Sequence, residues 1–533
     1  MGISAHIDSF VRDRLSPADA QPEFLFDLPE LQYPEQLNAA VELIEGGNRD
    51  RLAIVNDTGS WTYGEMADLS DRIARLLVEE EGLAPGNRVF LRGPNCAMLF
   101  AAWLGVLKAG GVAVTTMPVL RAGEIATILK RGEVSHAIVD ARSIEEFEAG
   151  ARQAGTLKSV VSYQGDAGDG ELEMRLQNMA SGFAAVATHR DEPALIAFTS
   201  GTTGQPKACV QYHRDVLAPA DSFAKHILKP QPGERWACSA PIAFTFGLGM
   251  LLIFPWRFGG TAVTIEKPGP APLLTAIAQH GVTRLATAPT AYKAMIADLA
   301  GHDMSSLKHC VSAGEHLPEA TWRAWHEATG IAIVDGIGAT EMMHIFISAS
   351  GPDIRPGATG KAVPGYRATV LDDDNRPRQT GTGRLAIKGP TGCRYLDDPR
   401  QSDYVVDGWN VTGDTYRFDE EGYFWFVSRS DDMIISSGYN IAAPEVENAL
   451  YGHPAVQECA VVGVPCDERG SAVKAFVVLA NDHNPGKKLA GELQDHVKAT
   501  IAPYKYPREI AFVDALPKSA TGKLQRYLLR AAG

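Results

Sequence analysis

Apolar positions recur along this chain in two alternating rhythms. Over residues 64–79 they return every three to four positions, which predicts an amphipathic helix. Residues 88–91 form a short apolar run that reads as a strand. Residues 97–108 read as an apolar helix ended by Gly110-Gly111. The runs 194–198 and 208–212 read as a pair of strands, and 284–288, 309–312 and 331–335 as short buried strands between helices. Such alternation predicts an α/β fold of layered sheets with helices on their faces. Ligands are then expected beyond the carboxyl ends of the strands. Ser312-Ala313-Gly314 and Asp335-Gly336-Ile337-Gly338 are expected as turns on one rim, beside the segment that starts at Thr199.

The rhythm changes near residues 428–432. Beyond it the pattern predicts a compact α+β unit: helix 444–453, strands 456–464 and 473–479, helix 489–501 and strand 510–513. The expected organisation is therefore a large domain over 1–430 and a small one over 431–533. The last thirty residues are locally basic, with Lys505, Arg508, Lys518, Lys523, Arg526 and Arg530 against Glu509 and Asp514.

Composition narrows the classes. The 533 residues are 45% hydrophobic and 21% charged, as in a soluble globular enzyme, and the net charge of −14 argues against nucleic acid or an anionic membrane as partner. No apolar stretch is long enough to span a bilayer, and the acidic start (Asp8, Asp13, Glu23) does not read as a signal peptide. The seven cysteines are scattered, which predicts reduced thiols in a cytoplasmic protein and neither a disulfide framework nor a zinc site.

The chemistry is concentrated in Thr199-Ser200-Gly201-Thr202-Thr203-Gly204-Gln205-Pro206-Lys207. A strand–turn–strand with glycines, hydroxyls and a lysine at its tip is suited to polyphosphate: main-chain N–H groups and hydroxyls donate and the lysine supplies charge. It is not a Walker-type loop, because Pro206 precedes Lys207 and strand-like sequence follows. A plain polar hairpin turn is the other reading of this stretch taken alone.

Further segments follow in order: Gly336 to Glu341, Val411-Thr412-Gly413-Asp414, Ser428 to Asp432, Ser436 to Ile441 and Pro517 to Arg526. With this set the chain resembles the adenylate-forming superfamily of acyl-CoA synthetases, peptide-synthetase adenylation domains and luciferases, over nearly its whole length. The resemblance implies a large N-terminal domain, a small mobile C-terminal domain, and Mg²⁺, ATP and coenzyme A as reactants. It implies that Thr199, Ser200, Gly201, Thr202, Thr203, Gly204 and Lys207 hold phosphates, and that Thr340 meets the α-phosphate. Glu341 would serve Mg²⁺. Asp414 and Arg429 would hold the ribose, and Gly314, Asp335, Gly336 and Ile337 would surround the adenine. Asp431 would be the hinge, Lys523 the catalytic ammonium, and Ser437 and Gly438 the channel for the pantetheine arm. CoA phosphates would meet basic groups such as Lys505 or Arg508. A surface Asp capping a turn remains the other reading of Asp414 and Asp431.

The segment 241–249 lies where the family gates its acyl pocket. It holds Phe244 and Phe246 and no Asp, which disfavours an α-amino acid. The run from Asp335 to Phe346 is similar to benzoate-CoA and 2-aminobenzoate-CoA ligases. That likeness places Phe244, Phe246, Ser312, Ala313, Gly314, Gly338 and His344 around an aromatic acid. His344 would either meet an ortho amino group or fill space, or be a core histidine satisfied elsewhere. The reading leans to 2-aminobenzoate, then benzoate. Loading of a separate carrier protein and a non-catalytic nucleotide sensor stand as alternatives; the sequence is silent on oligomeric state, and the family is often monomeric or dimeric. The chain departs from the family at Ala208, Ser428 and Ile435, where glycine, glycine and lysine are common, and at Ile337, where many members carry an aromatic.

Overall fold

The computed structural model describes residues 4–45, 47–166, 168–199, 206–372, 374–429, 433–480, 483–517 and 526–531. Two sheets organise the larger part of the chain. The first orders its strands Ser159–Tyr163, His136–Asp140, Arg88–Arg92, Val112–Thr116, Pro193–Thr199 and Lys207–Tyr212, all parallel except the last. The second has a parallel centre of Leu52–Asn56, Thr261–Val263, Arg235–Cys238, Arg284–Thr287, His309–Ser312 and Ile333–Gly338. Antiparallel strands close both of its edges.

Helices Tyr63–Glu79 and Ala97–Lys108 share one buried cluster with strands of both sheets. The first begins at a capping box, with Glu65 N–H donating to Thr62 Oγ1 (3.1 Å) and Thr62 N–H to Glu65 Oε2 (2.7 Å). The second is buried all round, which explains its nearly unbroken apolar sequence. Its Lys108 is neutralised by Asp71 (2.6 Å) and Glu45 (2.8 Å).

A third, antiparallel sheet over residues 367–429 was not legible in the periodicity. Its long strands Gly381–Lys388 and Trp409–Phe418 carry mixed patterns and a bulge. Beyond it come the hairpin Met433–Ser436 and Tyr439–Ala442, helices Ala443–Tyr451 and Lys487–Thr500, and a three-stranded sheet of Val456–Cys466, Gly470–Leu479 and Glu509–Phe512. Among the described residues, the buried clusters on either side of residue 430 share no members. Asp335 to Gly338 corrects one expectation. It is not a turn but the end of strand Ile333–Gly338, because Ile345–Ser348 folds back and pairs with it.

Candidate active site

The carboxyl ends of strands from both parallel sheets open onto one cavity of about 1290 Å³. Thr199, Phe244, Phe246, Ala313, Gly314, Gly338, Thr340, His344, Ser437 and Gly438 all line it. Sequences from distant places thus meet where the layered-sheet argument expects a ligand. Lys207, Ser312, Asp335, Gly336, Ile337, Glu341 and Asp414 are not among its described lining residues. Ser200 to Gly204, Asp431 and Lys523 lie outside the described residues, and for Arg429 only the backbone is described.

Thr199 and Lys207 face each other in register across the strand pair that carries the expected phosphate loop. Lys207 Nζ donates to Tyr395 Oη at 3.1 Å, and the Tyr395 hydroxyl donates to Glu341 Oε1 at 2.5 Å. Burial and then the charge of Glu341 push the Tyr395 phenol well above its ordinary pKa, so the proton stays on it. A relay thus ties the lysine of one motif to the glutamate of another. Tyr395 belongs to no motif, and no signal in the sequence singles it out. Gln211 fixes the same turn from below, its Nε2 donating to the carbonyls of Thr340 (2.9 Å) and Glu341 (3.2 Å). The turn is tight: Met343 has φ of +65°, a strained backbone for a residue with a side chain.

His344 forms the apolar end of the cavity. It is buried, stacked on Phe223 (5.6 Å), edge-on to Phe254 (4.6 Å) and beside Phe246 (5.6 Å). Burial pushes its pKa down to about 3, so the ring is neutral. Nε2 lies 3.4 Å from the Phe246 carbonyl, while Nδ1 is buried without a hydrogen-bond partner among the described residues. Gly249 makes room for the ring, since a Cβ there would come within 2.4 Å of His344 Cδ2. Around this contact the helix from Thr245 widens into a π-helical turn, Gly249–Ile253.

Asp335 is not among the described lining residues of the main cavity. It borders a second, water-sized cavity with Thr359 and Trp322, and burial holds its carboxyl well above the usual range. Asp414 is buried in strand Trp409–Phe418 and is the register partner of Arg429.

Ser437 and Gly438 form the two-residue turn of their hairpin with φ of +49° and +80°, values that favour glycine at the second position. The Gly438 N–H donates to Glu315 of the larger part. Here the conformation, more than space, demands the glycine, because an added Cβ would stand 3.4 Å from Ala288. Lys505 departs from its expectation. It is buried and bonded to Glu124 (2.6 Å) and Glu445 (2.5 Å), so in this arrangement it is no phosphate anchor.

Among the described residues, no group of three or more His, Cys, Asp or Glu is placed to hold a metal. Glu341 offers a single hard oxygen site, which fits a Mg²⁺ held mostly by phosphate oxygens. No helix among the described residues is long and apolar enough to cross a membrane.

These features define one cavity lined by both the large and the small part of the chain, and comparison with known proteins gives its class. The chain belongs to the AMP-binding enzyme family: the family model matches residues 44–394, and the AMP-binding enzyme C-terminal domain matches 445–523. It is 36% identical over 515 residues to a benzoate–CoA ligase of Thauera aromatica, across 95% of this chain and 98% of that protein. The solved anthranilate CoA ligase AuaEII, in complex with anthranoyl-AMP, is 33% identical with a TM-score of 0.73, covering 95% of this chain and 99% of its own. An o-succinylbenzoate CoA synthetase from Bacillus subtilis, bound with a CoA product analogue, is 25% identical with a TM-score of 0.83, covering 94% and 99%. The protein is thus an AMP-forming acyl-CoA ligase that uses ATP, CoA and Mg²⁺.

Proposed function

We propose that the protein activates an aromatic carboxylic acid, 2-aminobenzoate first and benzoate second, and that it does so in the cytoplasm. The observation that carries the substrate reading is the end of the cavity at His344. Three phenylalanines enclose a neutral ring that itself lines the cavity. A flat ring fits such a slot, and the neutral imidazole on its wall is the polar group that an ortho amino group would meet. Anthranilate and benzoate in the names of the similar ligases support the same class.

In this reading the loop from Thr199 to Gly204, with Lys207, holds the triphosphate, and Thr340 donates to the α-phosphate. Asp414 and Arg429 hold the ribose, and Asp335 to Ile337 with Gly314 frame the adenine. Glu341 holds Mg²⁺, which when bound offsets phosphate charge. The substrate carboxylate attacks the α-phosphorus, the bond to pyrophosphate breaks, and acyl-AMP remains. Lys523 stabilises the negative charge that builds on the reacting oxygens. The small domain, 431–533, then turns about Asp431 relative to 1–430 and brings Gly438 to the channel. The CoA sulfur attacks the acyl carbon and AMP leaves. The arrangement described here, with Ser437 and Gly438 on the cavity, suits that second step.

Release of AMP with 2-aminobenzoate, benzoate, salicylate and hexanoate tests the substrate reading. The expected order places 2-aminobenzoate first, with kcat/KM about tenfold to a hundredfold above benzoate. Replacing His344 by Leu is expected to erase that preference while benzoate still turns over. Hexanoate as the best substrate would contradict the aromatic reading, and an unchanged preference in His344→Leu would contradict the role of the histidine.

A further inference from the structure

A buried charge cluster joins the two parts of the chain at the rim of the cavity, away from the groups assigned above. Glu124 stands on helix Ala122–Arg131 of the larger part. One loop of the smaller part satisfies both of its oxygens: Lys505 Nζ donates to Oε1 (2.6 Å) and the Ala502 N–H to Oε2 (3.0 Å). Lys505 also donates to Glu445 (2.5 Å), and Arg121 Nε donates to the Lys498 carbonyl (3.2 Å). Resting on the reading that this arrangement performs the second step, we infer that Lys505, clamped between Glu124 and Glu445, is the positioning residue that latches the small part with Gly438 at the cavity and so sets the rate of thioester formation.

The geometry is selective in a way that a surface ion pair is not. Glu124 is already oriented by the Arg121 N–H (3.0 Å), so the incoming loop meets a fixed fork. The Lys505 side chain is 5% exposed and its partners 14% and 15%, so water competes little while the parts are docked. Burial works against the ammonium, yet Tyr504, Glu445 and Glu124 hold its pKa above the ordinary value and it remains charged. A buried pair of this kind adds modest net stability, but it specifies one register between the surfaces it joins. The latch is also connected to the acid gate. Tyr504 beside Lys505 stacks on Tyr439 at 4.3 Å, and Tyr439 meets Phe244 edge-on at 6.3 Å. Closing the latch therefore seats the ring that stands at the entrance to the aromatic slot.

The two half-reactions, each followed in a single turnover, test this. Pyrophosphate release reports adenylation, and conversion of supplied acyl-adenylate with free CoA reports thioester formation. Wild-type protein is expected to perform both. Lys505→Met and Glu124→Gln are each expected to slow thioester formation about tenfold or more and to leave adenylation within about twofold, because only the population of one arrangement changes. The double variant is expected to be no slower than Lys505→Met alone, since both changes break the same contact. Hydrogen exchange should quicken over residues 498–506 in Lys505→Met while strands Val456–Cys466 and Gly470–Leu479 keep their protection. Equal loss in both half-reactions, an unchanged thioester rate or loss of protection in those strands would overturn the latch. So would a lower KM for CoA in Glu124→Gln, which would make the freed Lys505 a phosphate anchor. Failure of the wild type to convert acyl-adenylate would instead overturn the functional reading, and the latch with it.

Discussion

A single phenol stands between Lys207 and Glu341, 3.1 Å from the ammonium and 2.5 Å from the carboxylate. Removing its hydroxyl would leave the Glu341 carboxylate without a buried donor, a loss of about 1.5–3 kcal/mol for a charged acceptor. Tyr395→Phe is therefore expected to lower kcat/KM for ATP about tenfold or more and to reduce stability by a loss of that size. Acid-dependent pyrophosphate release measures it, and an unchanged value would mean that the relay does not position the glutamate. At this scale the sequence was legible for residues inside motifs. His344 and Gly438 were recognised by their neighbours in the chain, and both line the cavity. Tyr395, Gln211 and Glu315 were not, because each acts through a contact with a residue far away in sequence.

The helical segment from Thr245 to Arg257 makes the same point one level up. Its apolar sequence predicts burial but not the π-helical turn at Gly249, which arises where the His344 ring packs against the backbone. That ring is held between Phe223 and Phe254 and has nowhere to retreat. Gly249→Ala is expected to displace it and raise KM for the aromatic acid about tenfold, with KM for ATP unchanged within about twofold. Steady-state titration of each substrate checks this, and equal changes in both KM values would point to general disruption. Short parallel strands such as His309–Ser312 were legible because they fall between helical stretches in the alternating order of an α/β fold. The end of strand Ile333–Gly338 was not. Its glycines signal a turn locally, and only pairing with Ile345–Ser348 makes them strand.

For the molecule as a whole, the arrangement of its two lobes matters more than any single contact. Here the small lobe presents the Ser437-Gly438 turn to the cavity, and the Gly438 N–H donates to Glu315 of the large one. The pattern change near residue 430 made two lobes legible, but no periodicity encodes their relative placement, which rests on contacts such as Lys505 with Glu124. The central claim is that one lobe serves two chemical steps by turning, delivering Lys523 for the first and withdrawing it for the second. Lys523→Ala measured separately in the two half-reactions tests it most directly. The account predicts that acyl-AMP formation falls by about a hundredfold or more while supplied acyl-adenylate is still converted to the CoA thioester at close to the wild-type rate. Equal damage to both steps would contradict it.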